Sequence, residues 1–130
     1  ITNRTKGLKA EQSQEAIKLS RLDEEFLNRF TAIVEENIDM DKLDMSFMMD
    51  KMNMSPSTLY RKIKGLTGIS CNEFIRKIRM KNSLRLLMEE SLNVSEAAYA
   101  SGFNDLGYFR TCFKEEYGMV PSEYIKQQKL

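Results

Sequence analysis

The sequence predicts an all-α protein: two helix-turn-helix subdomains joined by a long connecting helix, with an extra helix at the N-terminal side. Three observations predict it. Apolar residues recur at helical spacing through most of the chain, and alternation of the strand type is nowhere sustained. A short helix, a three- to four-residue turn and a second, capped helix occur twice, about 45–50 residues apart. Between the two lies a longer helical stretch whose apolar residues do not fall on one stripe, as expected of a helix with two packing partners. At 130 residues with 42% hydrophobic content, the chain has enough apolar material for a core.

Residues 1–20 are polar and read as a linker or tail. Residues 21–42 form a further segment, an N-terminal helix over 22–36 followed by a turn. Leu22, Phe26, Phe30, Ile33 and Val34 mark its apolar side. The remainder, 43–130, is the tandem unit, divided into a first unit over 43–71, a connecting helix over 72–90 and a second unit over 93–130. In the first unit Asp44 caps a short helix carrying Phe47, Met48 and Met52, and Asn53-Met54 makes the turn. Ser55-Pro56 starts the next helix, with Ser as N-cap and Pro at the first helical position; Gly68 ends it. Asn72 is the expected cap of the connecting helix. In the second unit Val94 to Ala100 makes a small helix, and Gly102-Phe103 turns the chain. Asn104 or Asp105 then caps a helix that ends before Gly118, and Pro121 opens a last short helix.

Charge separates the chain into two zones. The whole has 20 basic and 19 acidic residues, net +1. From Ser55 to Arg85, however, eight basic residues face a single acid, whereas from Ser20 to Met54 nine acids face four basic residues. A concentrated basic block in a neutral chain is the footprint of a polyanion. Histidine is absent, and Cys71 and Cys112 stand far apart. That spacing suits no zinc site, and the two read as buried thiols. The methionines clustered over 45–54 could offer thioethers to Cu(I), but on an amphipathic helix they read as core filler. No nucleophile elbow, phosphate-binding glycine loop or metal constellation is present, so the expectation is a non-enzyme with no cofactor, no metal and no small-molecule site.

The candidate chemistry lies on the two capped helices. With Leu59, Ile63 and Leu66 turned inward, the first presents Ser57, Thr58, Tyr60, Arg61 and Lys64. Arg61 suits a bidentate bond to guanine O6 and N7, Ser57 and Tyr60 suit base edges, and Thr58, Lys62 and Lys64 suit phosphates. A solvated helix face would carry similar residues; the turn before it and the surrounding basic block favour DNA. Lys77, Lys81 and Arg85, four apart, form a stripe on the connecting helix that could follow a phosphate backbone, with Arg76 beside it. The second capped helix offers Leu106 and Tyr108 for thymine methyls, Gly107 for close approach, and Thr111. Asn104, Arg110 and Lys114 are its candidate phosphate contacts. The other reading of Tyr108 is a core residue in a weakly binding unit.

These residues carry a resemblance to the DNA-binding domain of the arabinose-regulator (AraC/XylS) family of bacterial transcription factors. Its most specific stretch is Val94-Ser95-Glu96-Ala97-Ala98, Gly102-Phe103, Tyr108-Phe109, Phe113-Lys114, Gly118 and Pro121-Ser122-Glu123-Tyr124. The first unit agrees through Ser57-Thr58-Leu59-Tyr60-Arg61-Lys62, Leu66-Thr67-Gly68, Phe74-Ile75-Arg76 and Arg79-Met80. The resemblance implies base contacts at Ser57, Tyr60 and Arg61 and at Leu106, Gly107, Tyr108 and Thr111. The chain departs from the family where it has Thr111 in place of a commonly basic residue. The flanking helix and the stretch Ser57 to Gly68 resemble the output domains of hybrid two-component regulators. That implies double-stranded promoter DNA as partner, receiver and kinase domains in the same full-length protein, and a cytoplasmic location for this segment of a chain that is membrane-anchored elsewhere. A homodimer through the N-terminal helix is a further expectation. The competing class is a protein-interaction module, in which the acidic helix and the basic block dock other domains.

Overall fold

The computed structural model describes residues 20–39 and 43–128, and all regular structure among them is helical. Helix α1 covers 20–36 and is followed by a turn over 37–39. Then come α2 (Met45–Met52), α3 (Pro56–Thr67), α4 (Cys71–Glu89), α5 (Val94–Ala100), α6 (Leu106–Tyr117) and α7 (Pro121–Gln128). Apart from Ser20, the tail expected over 1–20 lies outside the described residues, as does the end of the turn at 40–42.

Helices α2 to α6 each start where a side chain takes up an orphaned backbone N–H. Asp44 accepts from the Phe47 amide at 3.0 Å, Ser55 from Thr58 at 3.4 Å, and Asp105 from Tyr108 at 2.9 Å. Pro56 sits at the first position of α3, where its missing N–H costs nothing. The left-handed residues Gly68 and Gly118 end α3 and α6. One cap differs from expectation. Helix α4 is capped by Ser70, which accepts from the Glu73 amide at 3.2 Å, so Asn72 is already inside the first turn. Helix α5 opens with a capping box: Asn93 accepts from the Glu96 amide at 2.8 Å, and Glu96 accepts from the Asn93 amide at 3.1 Å.

The helices enclose two cores. The first joins Phe26, Phe30 and Val34 of α1 with Leu43, with Met48 and Met52 of α2, with Leu59 and Ile63 of α3, and with Cys71, Ile75 and Ile78 of α4. The second joins Met80 and Leu87 of α4 with Ala97 and Ala98 of α5, Phe103, and Phe109, Cys112 and Phe113 of α6. Ring contacts tighten it, Phe103 meeting Phe109 at 5.0 Å and Phe113 meeting Tyr124 at 5.7 Å, both edge to face. Met48 and Met52 are core residues, and Cys71 and Cys112 are free buried thiols in different cores. Helix α1 therefore belongs to the first unit. It spends Phe26, Phe30 and Val34 there, and among its described large apolar residues only Leu22 stays exposed. Those three side chains are thereby committed to the domain's own core.

The scattered apolar residues of α4 now have a reason. At about 100° per residue, Cys71, Ile75 and Ile78 share one face, and Met80, Leu84 and Leu87 share a face about 180° away. One continuous helix thus turns its N-terminal half into the first core and the opposite side of its C-terminal half into the second.

The turn of the second unit closes the junction. Gly102 has φ +90°, and a Cβ there would collide with the Ile38 carbonyl oxygen and lie 3.0 Å from Arg79 Nε. Beside it Asn82 Nδ2 donates to the Oγ of buried Ser101 at 3.0 Å. The end of α1, the middle of α4 and the turn before α6 meet at this point. Gly68 is also left-handed, at φ +78°, but a Cβ there would meet nothing within 4 Å. We therefore expect Gly68→Ala to cost about 1 kcal/mol from backbone strain alone, and Gly102→Ala to cost about 1–3 kcal/mol more, because the Ile38 backbone must also move. Urea unfolding of the two variants checks this; equal losses would mean that the junction is not packed.

Candidate nucleic-acid interface

The Ser55 cap and Pro56 fix where α3 begins, and the burial of Leu59 and Ile63 fixes which way it faces. Ser57, Thr58, Tyr60, Arg61, Lys62 and Lys64 are all exposed as a result. Tyr60 keeps 44% of its surface in solvent, unusual for an aromatic residue with a core one step away. Thr58 is partly occupied, since its hydroxyl accepts from Ser55 Oγ at 2.9 Å. The Lys62 ammonium sits 4.6 Å over the ring of Phe26, which turns it toward α1. Thr58, Arg61, Lys62, Gly65 and Leu66 line a shallow apolar depression on the outer surface of α3.

Helix α6 is presented in the same manner. Phe109, Cys112 and Phe113 are buried, which leaves Gly107, Tyr108, Arg110, Thr111 and Lys114 exposed and Leu106 half-buried. Tyr108 is 51% exposed, so the core alternative for it does not hold. Its amide is used by the Asp105 cap. The Thr111 hydroxyl donates to the Gly107 carbonyl at 3.1 Å, within its own helix.

The basic residues of α4 divide between two flanks, because neighbours on a helix point about 100° apart. Arg76 and Arg79 face a cleft of about 640 Å³ between the units, lined also by Asn72, Asn104 and Tyr108. Arg76 Nη1 donates to Tyr108 Oη at 3.3 Å, and that bond raises the pKa of Arg76 from its ordinary value. Arg79 was not among the sequence candidates. It is half-buried, its Nε has no hydrogen-bond partner, and burial lowers its pKa while the guanidinium stays charged. The signals available in the sequence were its membership of the basic block and its place in the Arg79-Met80 pair of the family resemblance. On the other flank, Lys77 Nζ pairs with Glu116 Oε2 at 2.8 Å. Lys81 and Arg85 line a groove with Thr31 and Glu35 of α1, and Arg85 also bonds Asn82 Oδ1 at 3.1 Å. Of the expected stripe, Lys77 is paired with α6, Arg85 bonds Asn82 of its own helix and lies 3.9 Å from Glu90 at the end of that helix, and Lys81 is exposed.

The chain thus holds two capped helices with buried inner faces and polar outer faces on one shared connector. A family described as a helix-turn-helix domain matches residues 48–127. The chain is 35% identical over 108 residues to histidine kinase P4 of Formosa agariphila, which covers 83% of this chain but 8% of that protein. It spans about a third of the length of the transcriptional activators it matches. Among solved structures it resembles the C-terminal domain of AraT, a response regulator from Geobacillus stearothermophilus, with 29% identity and TM-score 0.68 over 78% of this chain and 84% of that one. It also resembles the DNA-binding domain of the global transcriptional factor AdpA in complex with a target DNA, with 25% identity and TM-score 0.68 over 78% of this chain and 90% of that one. Among the described residues no helix is long and apolar enough to cross a membrane. The architecture, the matched span and these likenesses agree: the chain belongs to the AraC-type helix-turn-helix family of DNA-binding domains.

Proposed function

We propose that this domain is the promoter-reading output module of a phosphorelay regulator, working in the cytoplasm. Receiver and kinase domains in the same full-length protein would govern when it binds. The observation that carries the reading is the pairing of α3 and α6 on the single helix α4. The likeness to a histidine kinase many times longer, and to the C-terminal domain of a response regulator, supports the placement at the output end of a signalling chain.

In this reading α3 enters one major groove and α6 the next. Ser57, Tyr60 and Arg61 read base edges from α3; Leu106, Gly107, Tyr108 and Thr111 read them from α6. Arg61 has the fork geometry for guanine. Gly107 lacks a side chain where the start of α6 would come nearest the bases. Thr58, Lys64, Asn104, Arg110 and Lys114 hold phosphates and set register, carrying no sequence information of their own. Lys62 contributes charge near the backbone from its seat over Phe26. Helix α4, with 19 residues, is about 28 Å long. Consecutive major grooves repeat about every 34 Å. A connector of comparable length matches one helical turn of DNA.

Two measurements test this. After in vitro selection of a binding site, Arg61→Ala should lose about 1–3 kcal/mol of discrimination at one base pair, while Lys64→Ala weakens all duplexes alike. An Arg61→Ala protein with unaltered sequence preference would remove Arg61 from the reading set. Affinity should also fall steeply with salt. If about six phosphates are neutralised, log K plotted against log salt has a slope near −5. A flat response in fluorescence anisotropy would contradict the phosphate footprint and favour the docking of protein partners.

A further inference from the structure

Arg76 and Lys77 are neighbours in α4, yet they reach opposite ends of α6. Arg76 bonds Tyr108 in the first turn of α6, and Lys77 pairs with Glu116 in its last turn. Tyr108 and Glu116 are eight residues apart, about 12 Å along the helix axis. Beneath the crossing, Arg76, Lys77, Met80, Cys112, Glu115 and Glu116 enclose a space of only about 60 Å³. Helix α6 therefore lies across the Met80 face of α4 and is tied down on both flanks. The level of these ties matters. Ile75 and Ile78 bracket them and belong to the first core, whereas the second core takes hold of α4 from Met80 onward. The two bridges are where the second reading helix grips the part of α4 that the first unit holds.

We propose that Arg76 and Lys77 are positioning residues, which fix the pitch of α6 relative to α3 and so set the half-site spacing the domain accepts. The proposal rests on the DNA reading above and adds a determinant that touches no base. Two tethers some distance apart resist swivelling of α6 about the crossing point; a single hydrophobic seat does not. Each is an exposed, modest interaction, so its loss should loosen the geometry without unfolding either core.

The test compares the parent chain with Lys77→Glu, Glu116→Lys and the double exchange, by two readouts. The first uses spin labels on p-acetylphenylalanine placed at positions 64 and 114, which leaves the buried cysteines untouched, and needs no DNA. The α3–α6 distance distribution should be narrow in the parent, broad in both single variants and narrow again in the double exchange. The second uses the selected duplex with one base pair inserted or removed between half-sites. The single variants should lose about three-fold in their preference for the native spacing, and the double exchange should regain it. Identical distance distributions in all four proteins would overturn the proposal, as would a spacing preference indifferent to the exchange. A parent that selects no duplex would sink the DNA reading alone, because the label distances still decide whether the tethers hold α6.

Discussion

The structure depends on α4 being a single continuous helix buried on two opposite faces. Cys71, Ile75 and Ile78 commit its first half to one core; Met80 and Leu87 commit its second half to another. Neither unit is large enough to be comfortable alone, since small domains bury too little of the surface their chains expose. By sharing α4 each core borrows a wall from the other. The arrangement also converts two small motifs into one body, which is what a reader of two successive grooves requires. A flexible joint would place the second helix at many angles and lose the gain of engaging both sites at once.

Helix α1 strengthens that unity. Its aromatic residues Phe26 and Phe30 sit in the first core, while the carbonyl of Ile38, just beyond its end, meets the turn of the second unit at Gly102. The segment leading into the domain is therefore packed against both units. Arg79 lies in the same junction, partly withdrawn from water. Withdrawing a guanidinium from water is expensive unless its neighbours supply compensating polar groups, and among the described residues the Arg79 Nε has no hydrogen-bond partner.

Much of this was legible in the sequence. The Ser55-Pro56 start, the Gly68 and Gly118 stops, the inward turn of Leu59 and Ile63, and the dual character of α4 all follow from local rules about caps and apolar spacing. The outward display of Tyr60 and Arg61 follows from them by elimination. Cap identity was less secure: Ser70 and Asn72 are both good caps two residues apart, and tertiary packing of Cys71 decided between them. The destinations of the charged side chains were not legible. Lys77 reads as part of a stripe with Lys81 and Arg85 that could follow phosphates, and Arg76 as a contact beside it; the partners of Arg76 and Lys77 in the fold are 32 and 39 residues away in sequence. Nothing in helical spacing encodes a contact made across a helix crossing. The same holds for Lys62 over Phe26. Residue type identified the face; only the fold could say which basic residues were already spoken for.

The central claim is that the two reading helices belong to one rigid frame in the absence of DNA. Residual dipolar couplings of backbone amides, measured on the free protein in a weakly aligned medium, test it most directly. Couplings from α1 to α3 and from α5 to α7 should fit a single alignment tensor of one magnitude and orientation, with α4 common to both. Two tensors of different magnitude would contradict the account, since they would mean that the units reorient independently about the helix they share.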